Sequence, residues 1–295
     1  EILKRTADSY RRIRNTSRFL LANLEGFDPA TDLLPAEDMI ALDRWVVDQA
    51  AKLQEEIKAH YDSYQFHAIY QKVHNFCALE LGGFYLDVIK DRQYTAKSDG
   101  VARRSAQTAM YHIVEALVRW VAPILSYTAD ELWQFVPGER GESVFLESWY
   151  EGLFSVDAGG EMDESYWSTV LSVKTAVNKQ IEVARKEGSI GGSLESDVVL
   201  YCTSELKAVL DQLQNELRFV LITSSAKVCD DEEKSSDAVA TDVEGLSLSI
   251  TKSSGSKCER CWHHREDVGE SVAHETLCGR CVENVDGEGE TRLFA

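Results

Sequence analysis

Residues 66–84, FHAIYQKVHNFCALELGGF, set the pattern for the first half of the chain. Phe66, Ile69, Tyr70, Val73, Phe76, Cys77, Leu81 and Phe84 recur three and four residues apart, the spacing that lines one face of an α-helix. Gly82-Gly83 interrupts the stripe and predicts a kink or a close helix crossing. Immediately upstream, Met39, Leu42, Trp45, Val46, Leu53 and Ile57 share a second stripe. Pro35 suits its first helical position, and Glu37 and Asp38 suit a first turn whose dipole favours anions. Further upstream, residues 1–24 place Ile2, Ile13, Leu20 and Leu24 on one arc, flanked by Leu3, Tyr10 and Leu21. Lys4, Arg5, Arg11, Arg12 and Arg18 fall opposite, with Arg14 at the edge, and Asp28-Pro29 marks a turn after Gly26. Downstream, a helix from about Val101 carries Ala106, Ala109, Met110, Ile113, Leu117 and Trp120 until Pro123 breaks it. A short helix, ILSYTADELWQF, then ends at Pro137-Gly138. Amphipathic helices joined by short connections make a bundle, so residues 1–150 read as a helical domain and the fold as mainly α.

After about residue 150 the period changes. Tyr166 to Arg185 is helical through Val170, Val173, Val177, Ile181 and Ala184, and ends at Gly188 and Gly191-Gly192. Val198–Tyr201 reads as a buried strand, and Thr203 or Ser204 can cap a helix carrying Leu206, Val209, Leu210, Leu213 and Leu217. Phe219 to Ile222 reads as a second strand and Leu246, Leu248 and Ile250 as a third. Residues 151–251 are thus expected to form a small α+β domain. Polar stretches at 230–237 and 252–257 read as loops, the second setting off residues 252–295 as a separate module.

The chain has 295 residues, 44% of them hydrophobic, and its 31 basic and 50 acidic residues leave a net charge of −19. No apolar run approaches the roughly 18 residues of a membrane span, and the first residues contain no apolar signal core. Glu1 opens directly into helical periodicity without a capping residue, which leads us to expect the C-terminal part of a longer chain. Seven cysteines, four of them in two C-x-x-C pairs, suggest intracellular thiol and metal chemistry rather than a disulfide framework.

Those pairs carry the chemistry. Cys258-x-x-Cys261 and Cys278-x-x-Cys281 fit the spacing of a four-thiolate zinc site. Each turn aims two sulfurs at one point, and the loop between them brings the two turns into a tetrahedron. A module of about 40 residues buries too little core to fold unaided, so one structural zinc ion supplies the missing stability. Disulfides or a redox C-x-x-C are the alternatives. Four thiolates leave no open coordination position, which argues against hydrolysis. His263, His264 and His274 read as loop residues rather than ligands, and Cys77 as a small buried apolar residue; Cys202 and Cys229 carry no partner pattern. The six cations between Lys4 and Arg18 fit either a solvated or docked helix face or a phosphate-binding one. Charge is uneven: residues 1–150 carry −5 and residues 151–295 carry −14, so a local basic patch can still bind a polyanion. Gly188–Gly192 lacks the Lys and Ser/Thr of a phosphate loop, and no catalytic motif is present.

The strings RTADSYRRIRNTSRFLLANL, LDRWVV, YDSYQFHAIYQKVHNFC, LGGFYLDVIKDRQYT and APILSYTADELWQF resemble the anticodon-binding helical domain of class I aminoacyl-tRNA synthetases. SVFLESW, NKQIEVARKEGSIGGSLESDVVLY and the ending KCERCWHH…CGRCVENVDGEGETRLFA are similar to the junction and zinc module of the bacterial isoleucyl branch. The helical strings alone leave the valyl and leucyl branches open; the four-cysteine tail favours the isoleucyl one. The resemblance implies a ligase that uses ATP to attach isoleucine to its tRNA in the cytoplasm, with catalytic and editing domains upstream in the same chain. The H-I-G-H and K-M-S-K-S signatures of the ATP site are absent here, so this part is expected to be non-catalytic and to hold the tRNA anticodon. Arg11, Arg12, Arg14, Arg18 and Trp262 are the candidate tRNA contacts. The expected partners are isoleucine tRNA and the upstream domain, with no membrane and a monomeric state. A zinc-knuckle interaction module without an RNA role is the competing reading, and a DNA-repair protein with a similar four-cysteine end is disfavoured by the synthetase-like bundle.

Overall fold

A computed structural model describes residues 2–156 and 159–295. Glu1 and the side chains of Ile2 and Arg5, expected on the first helix, lie outside the described residues. Residues 1–93 with 101–157 form one unit, and residues 94–100 with 158–295 form a second.

In the first unit, α1 (Ile2–Asn23) buries Ile13 and Leu20, with Leu24 just past its end, while Leu3 is exposed. The second helix starts later than Pro35 suggests. Pro35 instead caps a single 3-10 turn (Ala36–Asp38), and Ile40 is extended with its N–H donated to Ser105 Oγ at 2.8 Å. This tertiary hydrogen bond outweighs the local N-terminal signal, and α2 runs Ala41–Asp62. α3 (Phe66–Asn75) continues through a π-helical stretch, Phe76–Tyr85, into α4 (Leu86–Thr95). A Cβ on Gly82 would lie 2.9 Å from the Cys77 carbonyl oxygen, so the interruption seen in sequence is a widened turn that glycine admits. α5 (Val101–Val121) is buried along nearly its whole length, and α6 (Ser126–Trp133) closes the bundle.

Polar groups lock this core as well. Asp43, fully buried on α2, accepts both guanidinium Nη atoms of Arg92 at 2.8 Å, the Tyr85 hydroxyl at 2.8 Å and the Ser105 hydroxyl at 2.5 Å. Trp120 Nε1 donates to Gln54 Oε1 at 2.9 Å. Every member of such a set must be satisfied, because an unpaired buried charge is strongly unfavourable.

In the second unit, α7 (Glu164–Lys186) begins with Asp163 accepting the Tyr166 N–H at 3.0 Å. It packs on a mixed sheet of order β2-β1-β4-β3, comprising β1 (Ser196–Cys202), β2 (Ser225–Asp230), β3 (Val239–Ala240) and β4 (Leu246–Lys252). β1 and β2 are parallel, joined by a crossover through α8 (Ser204–Leu210) and α9 (Leu217–Leu221). The run Phe219–Ile222 is therefore helical up to Leu221, not a strand. A short apolar run does not distinguish the two states, and here Lys174, buried on α7, donates to the Val220 carbonyl at 2.6 Å while left-handed Ile222 ends the helix. β5 (Ser256–Lys257), β6 (His264–Arg265) and α10 (Gly279–Asp286) complete the chain. Among the described residues no helix is long and apolar enough to cross a membrane.

Candidate metal centre and nucleic-acid interface

The two C-x-x-C turns form by different means. After Cys258 the chain doubles back, with the Trp262 N–H donating to the Cys258 carbonyl and the Cys258 N–H to the His263 carbonyl, both at 2.9 Å. Trp262 takes a left-handed φ of 66°, which an L-residue adopts only when its surroundings impose it. The second turn is the start of α10, where Cys278 caps the helix and its N–H donates to Cys258 Sγ at 3.4 Å. All four sulfurs lie within 4.8 Å of one another, and all four cysteines are buried. Cys261 and Cys278 are 3.7 Å apart, far beyond a disulfide bond of about 2.05 Å. A tetrahedron with Zn–S of about 2.3 Å has an edge of about 3.8 Å, so the donor set fits zinc. Hydrogen bonds from Cys261 and Cys281 lower the pKa of the Cys278 thiol, which favours its thiolate, the form that binds a metal. Asp267 Oδ2 accepts the Gly279 N–H at 3.1 Å and steadies the second turn.

The histidines are engaged elsewhere. His263 is buried, with Nδ1 3.2 Å from the Cys261 carbonyl oxygen and its ring edge against Phe219. His264 Nδ1 lies 3.0 Å from the Gly255 carbonyl oxygen, and His274 Nε2 lies 2.7 Å from Asp286 Oδ2. Burial pushes the Cys77 and Cys202 thiols up to about 12, and raises Cys229 as well, so none of these three is a ready nucleophile.

The end of the chain is fixed to the same unit. Glu216 accepts the N–H groups of Leu293, Phe294 and Ala295 at 2.8–2.9 Å. Arg292 lies over the Phe219 ring, and Arg280 and Arg292 both pair with Glu290, at 3.0 and 2.7 Å. Arg260 donates to the Thr95 carbonyl at 3.2 Å and Lys97 to the Gly287 carbonyl at 3.3 Å.

On the first unit a groove of about 490 Å³ runs between α1 and α6. Its α1 side is Arg14, Arg18, Leu21 and Ala22, with Glu25 beyond the helix end; Glu131, Leu132 and Phe135 face them. Arg14 reaches both carboxylate oxygens of Glu131 at 3.2 Å. Arg18 is exposed and has no partner among the described residues. The groove thus gathers two of the four arginines singled out from sequence. Arg11 and Arg12 are exposed on α1 but do not line it, and Arg11 pairs with Asp8 at 2.6 Å. Trp262, in the second unit, is 59% exposed with Lys257 Nζ 5.0 Å from its ring centre. Sequence reasoning passed over Phe135, which is 68% exposed, and Glu131, because no periodicity marks a residue that faces a groove from another element. It passed over Glu25 too, although Glu25 continues the spacing of Arg14, Arg18 and Leu21.

Comparison with known proteins assigns both regions. Residues 43–200 match the model of the "anticodon-binding domain of tRNA ligase", and residues 255–284 match that of the "zinc finger found in FPG and IleRS". The second span contains all four cysteines, which hold one structural zinc ion. The chain is 60% identical over 296 residues to the isoleucine–tRNA ligase of Marinomonas sp. (strain MWYL1), covering 100% of this chain and 32% of that protein. It is 61% identical to that of Saccharophagus degradans and 60% identical to that of Azotobacter vinelandii, covering 100% of this chain and 31% of each. The chain therefore spans about a third of the length of these relatives. With more than half its residues matched by that family model, the chain belongs to the anticodon-binding-domain family of tRNA ligases.

Proposed function

We propose that this chain is the tRNA-holding part of an isoleucine–tRNA ligase. The observation that carries the reading is identity of about 60% to such ligases over the whole chain. In this reading the parent enzyme uses ATP in an upstream domain to attach isoleucine to its tRNA, acts as a cytoplasmic monomer, and engages no membrane. The bundle (1–150) grips the anticodon, the α+β domain (151–251) follows it, and the zinc module (252–295) ends the piece. The groove on the bundle supports an RNA role: it combines exposed Arg18 and half-buried Arg14, cations of the kind that set register on phosphates, with an exposed aromatic ring on which an unstacked base can lie. Arg14 and Arg18 act at the phosphates, with Arg11 and Arg12 extending the cationic face. Trp262, exposed and flanked by Lys257, offers a second stacking surface. Cys258, Cys261, Cys278 and Cys281 hold the zinc as a staple.

Filter binding of isoleucine and valine tRNA transcripts tests this. The chain is expected to bind the isoleucine transcript at least tenfold more tightly, a difference of about 1.4 kcal/mol. Arg18→Ala is expected to weaken binding and to reduce the slope of log affinity against log salt by roughly 0.7–0.9. Equal affinity for both transcripts, or a slope unchanged by Arg18→Ala, overturns the reading.

A further inference from the structure

The groove holds one group that phosphate binding does not explain. Glu25 lines it with no hydrogen-bond or ion-pair partner among the described residues, whereas Glu131 is occupied by Arg14. A free carboxylate in a site for a polyanion repels the backbone it faces, so it lowers affinity unless it discriminates. The turn that carries it is held in place: Gln107 Nε2 donates to the Asn23 carbonyl at 3.0 Å, and Gly26 follows with a left-handed φ of 72°.

We infer that Glu25 is a specificity residue that reads an unstacked guanine in this groove, an inference that rests on the tRNA-binding reading above. A carboxylate only accepts hydrogen bonds, through two oxygens side by side. Guanine is the base whose pairing edge offers two adjacent donors, N1–H and the 2-amino group. Adenine and cytosine each offer one donor beside an acceptor, and uracil places its N–H between two acceptors. Glu25 therefore pairs doubly with guanine alone. Phe135 supplies the stacking face, Leu21 and Leu132 the apolar walls, and unpaired Arg18 the contact to the nucleotide's phosphate. The volume of about 490 Å³ lies within the range of sites that take a ligand of nucleotide size.

Synthetic RNA hairpins with a uridine loop carrying one guanosine, moved through each loop position in turn, provide the test. At one position the chain is expected to bind guanosine about tenfold more tightly than inosine, which lacks the 2-amino donor. Glu25→Gln, whose side chain offers one acceptor and one donor, is expected to lose that preference and to favour adenosine, with an unchanged circular dichroism spectrum. Hairpin binding that ignores the loop base, or a guanosine preference that survives in Glu25→Gln, overturns the inference and leaves the RNA-binding reading standing. Failure to bind any hairpin at low salt, the all-uridine one included, overturns both.

Discussion

The bundle and the zinc module solve the same problem with opposite materials. The bundle buries Trp120, Trp133, Leu42, Ile57 and Ile69 almost completely and can enclose an ion pair, because enough hydrocarbon surrounds it. Around the four cysteines, the partly buried hydrophobic residues packed on the cluster are Val268 and Leu277. There, thiolates around a metal take the place of apolar area, and Glu216 anchors the tail by its backbone amides beside buried Arg292 and Ala295. A large core tolerates polar groups as locks; a small one needs them as its main cohesion.

This contrast breaks first at the metal. Cys258→Ser is expected to reduce bound zinc from one per chain to none, withdrawing on the order of 10 kcal/mol from the module. Amide exchange over residues 255–286 should become fast, while protection in α2 and α5 stays. Loss of protection in the bundle would erase the distinction. Next in size is Asp43→Ala, which strands buried Arg92 and should lower the stability of the bundle by about 3–5 kcal/mol, read as a shift in its urea midpoint. Replacing Arg92 by Met in the same chain should recover most of that loss; no recovery would mean that the pair is more than a lock.

A third effect is tied to pH. His112 hydrogen-bonds Tyr150 across 2.7 Å, and burial lowers its pKa from 6.5 to about 4. The unfolded chain therefore takes up a proton that the folded bundle refuses. His112 leaves stability intact above about pH 6.5 and erodes it as pH falls toward 4, by up to about 3 kcal/mol. Urea midpoints at pH 7 and pH 4.5 should differ less in His112→Gln than in the parent chain. The smallest change expected is that of Glu216→Gln, whose one carbonyl oxygen can replace only one of the two accepting carboxylate oxygens and whose NH2 cannot accept an N–H. It should loosen residues 293–295 by about 1.5–3 kcal/mol, detected as faster exchange of those amides. Unchanged exchange would assign the tail's order to Arg292 and Phe219 instead.

What could be read in the sequence followed from how local each signal is. Four cysteines at fixed spacing state their chemistry within a few residues, and the stripes of α1, α2 and α5 state theirs within two turns. Phe219–Leu221 could not be read this way, because its helix depends on Lys174, which is remote in sequence but donates to the Val220 carbonyl. The start of α2 at Ala41 rather than Pro35 depends on Ser105 in the same manner. Gly82-Gly83 announced an interruption, and only the structure showed it to be a run of widened turns. The groove was half legible: Arg14 and Arg18 belong to a visible cationic stripe and Glu25 follows them at the end of α1, but Glu131 and Phe135 join them only through the packing of α6 on the bundle.

The most direct test of the central claim, that this chain grips one tRNA by its anticodon, is its affinity for isoleucine tRNA against the same transcript with the three anticodon bases replaced. The account predicts a loss of at least tenfold on replacement, largest at moderate salt where non-specific phosphate contacts are screened. Equal binding of the two transcripts at every salt concentration would contradict it.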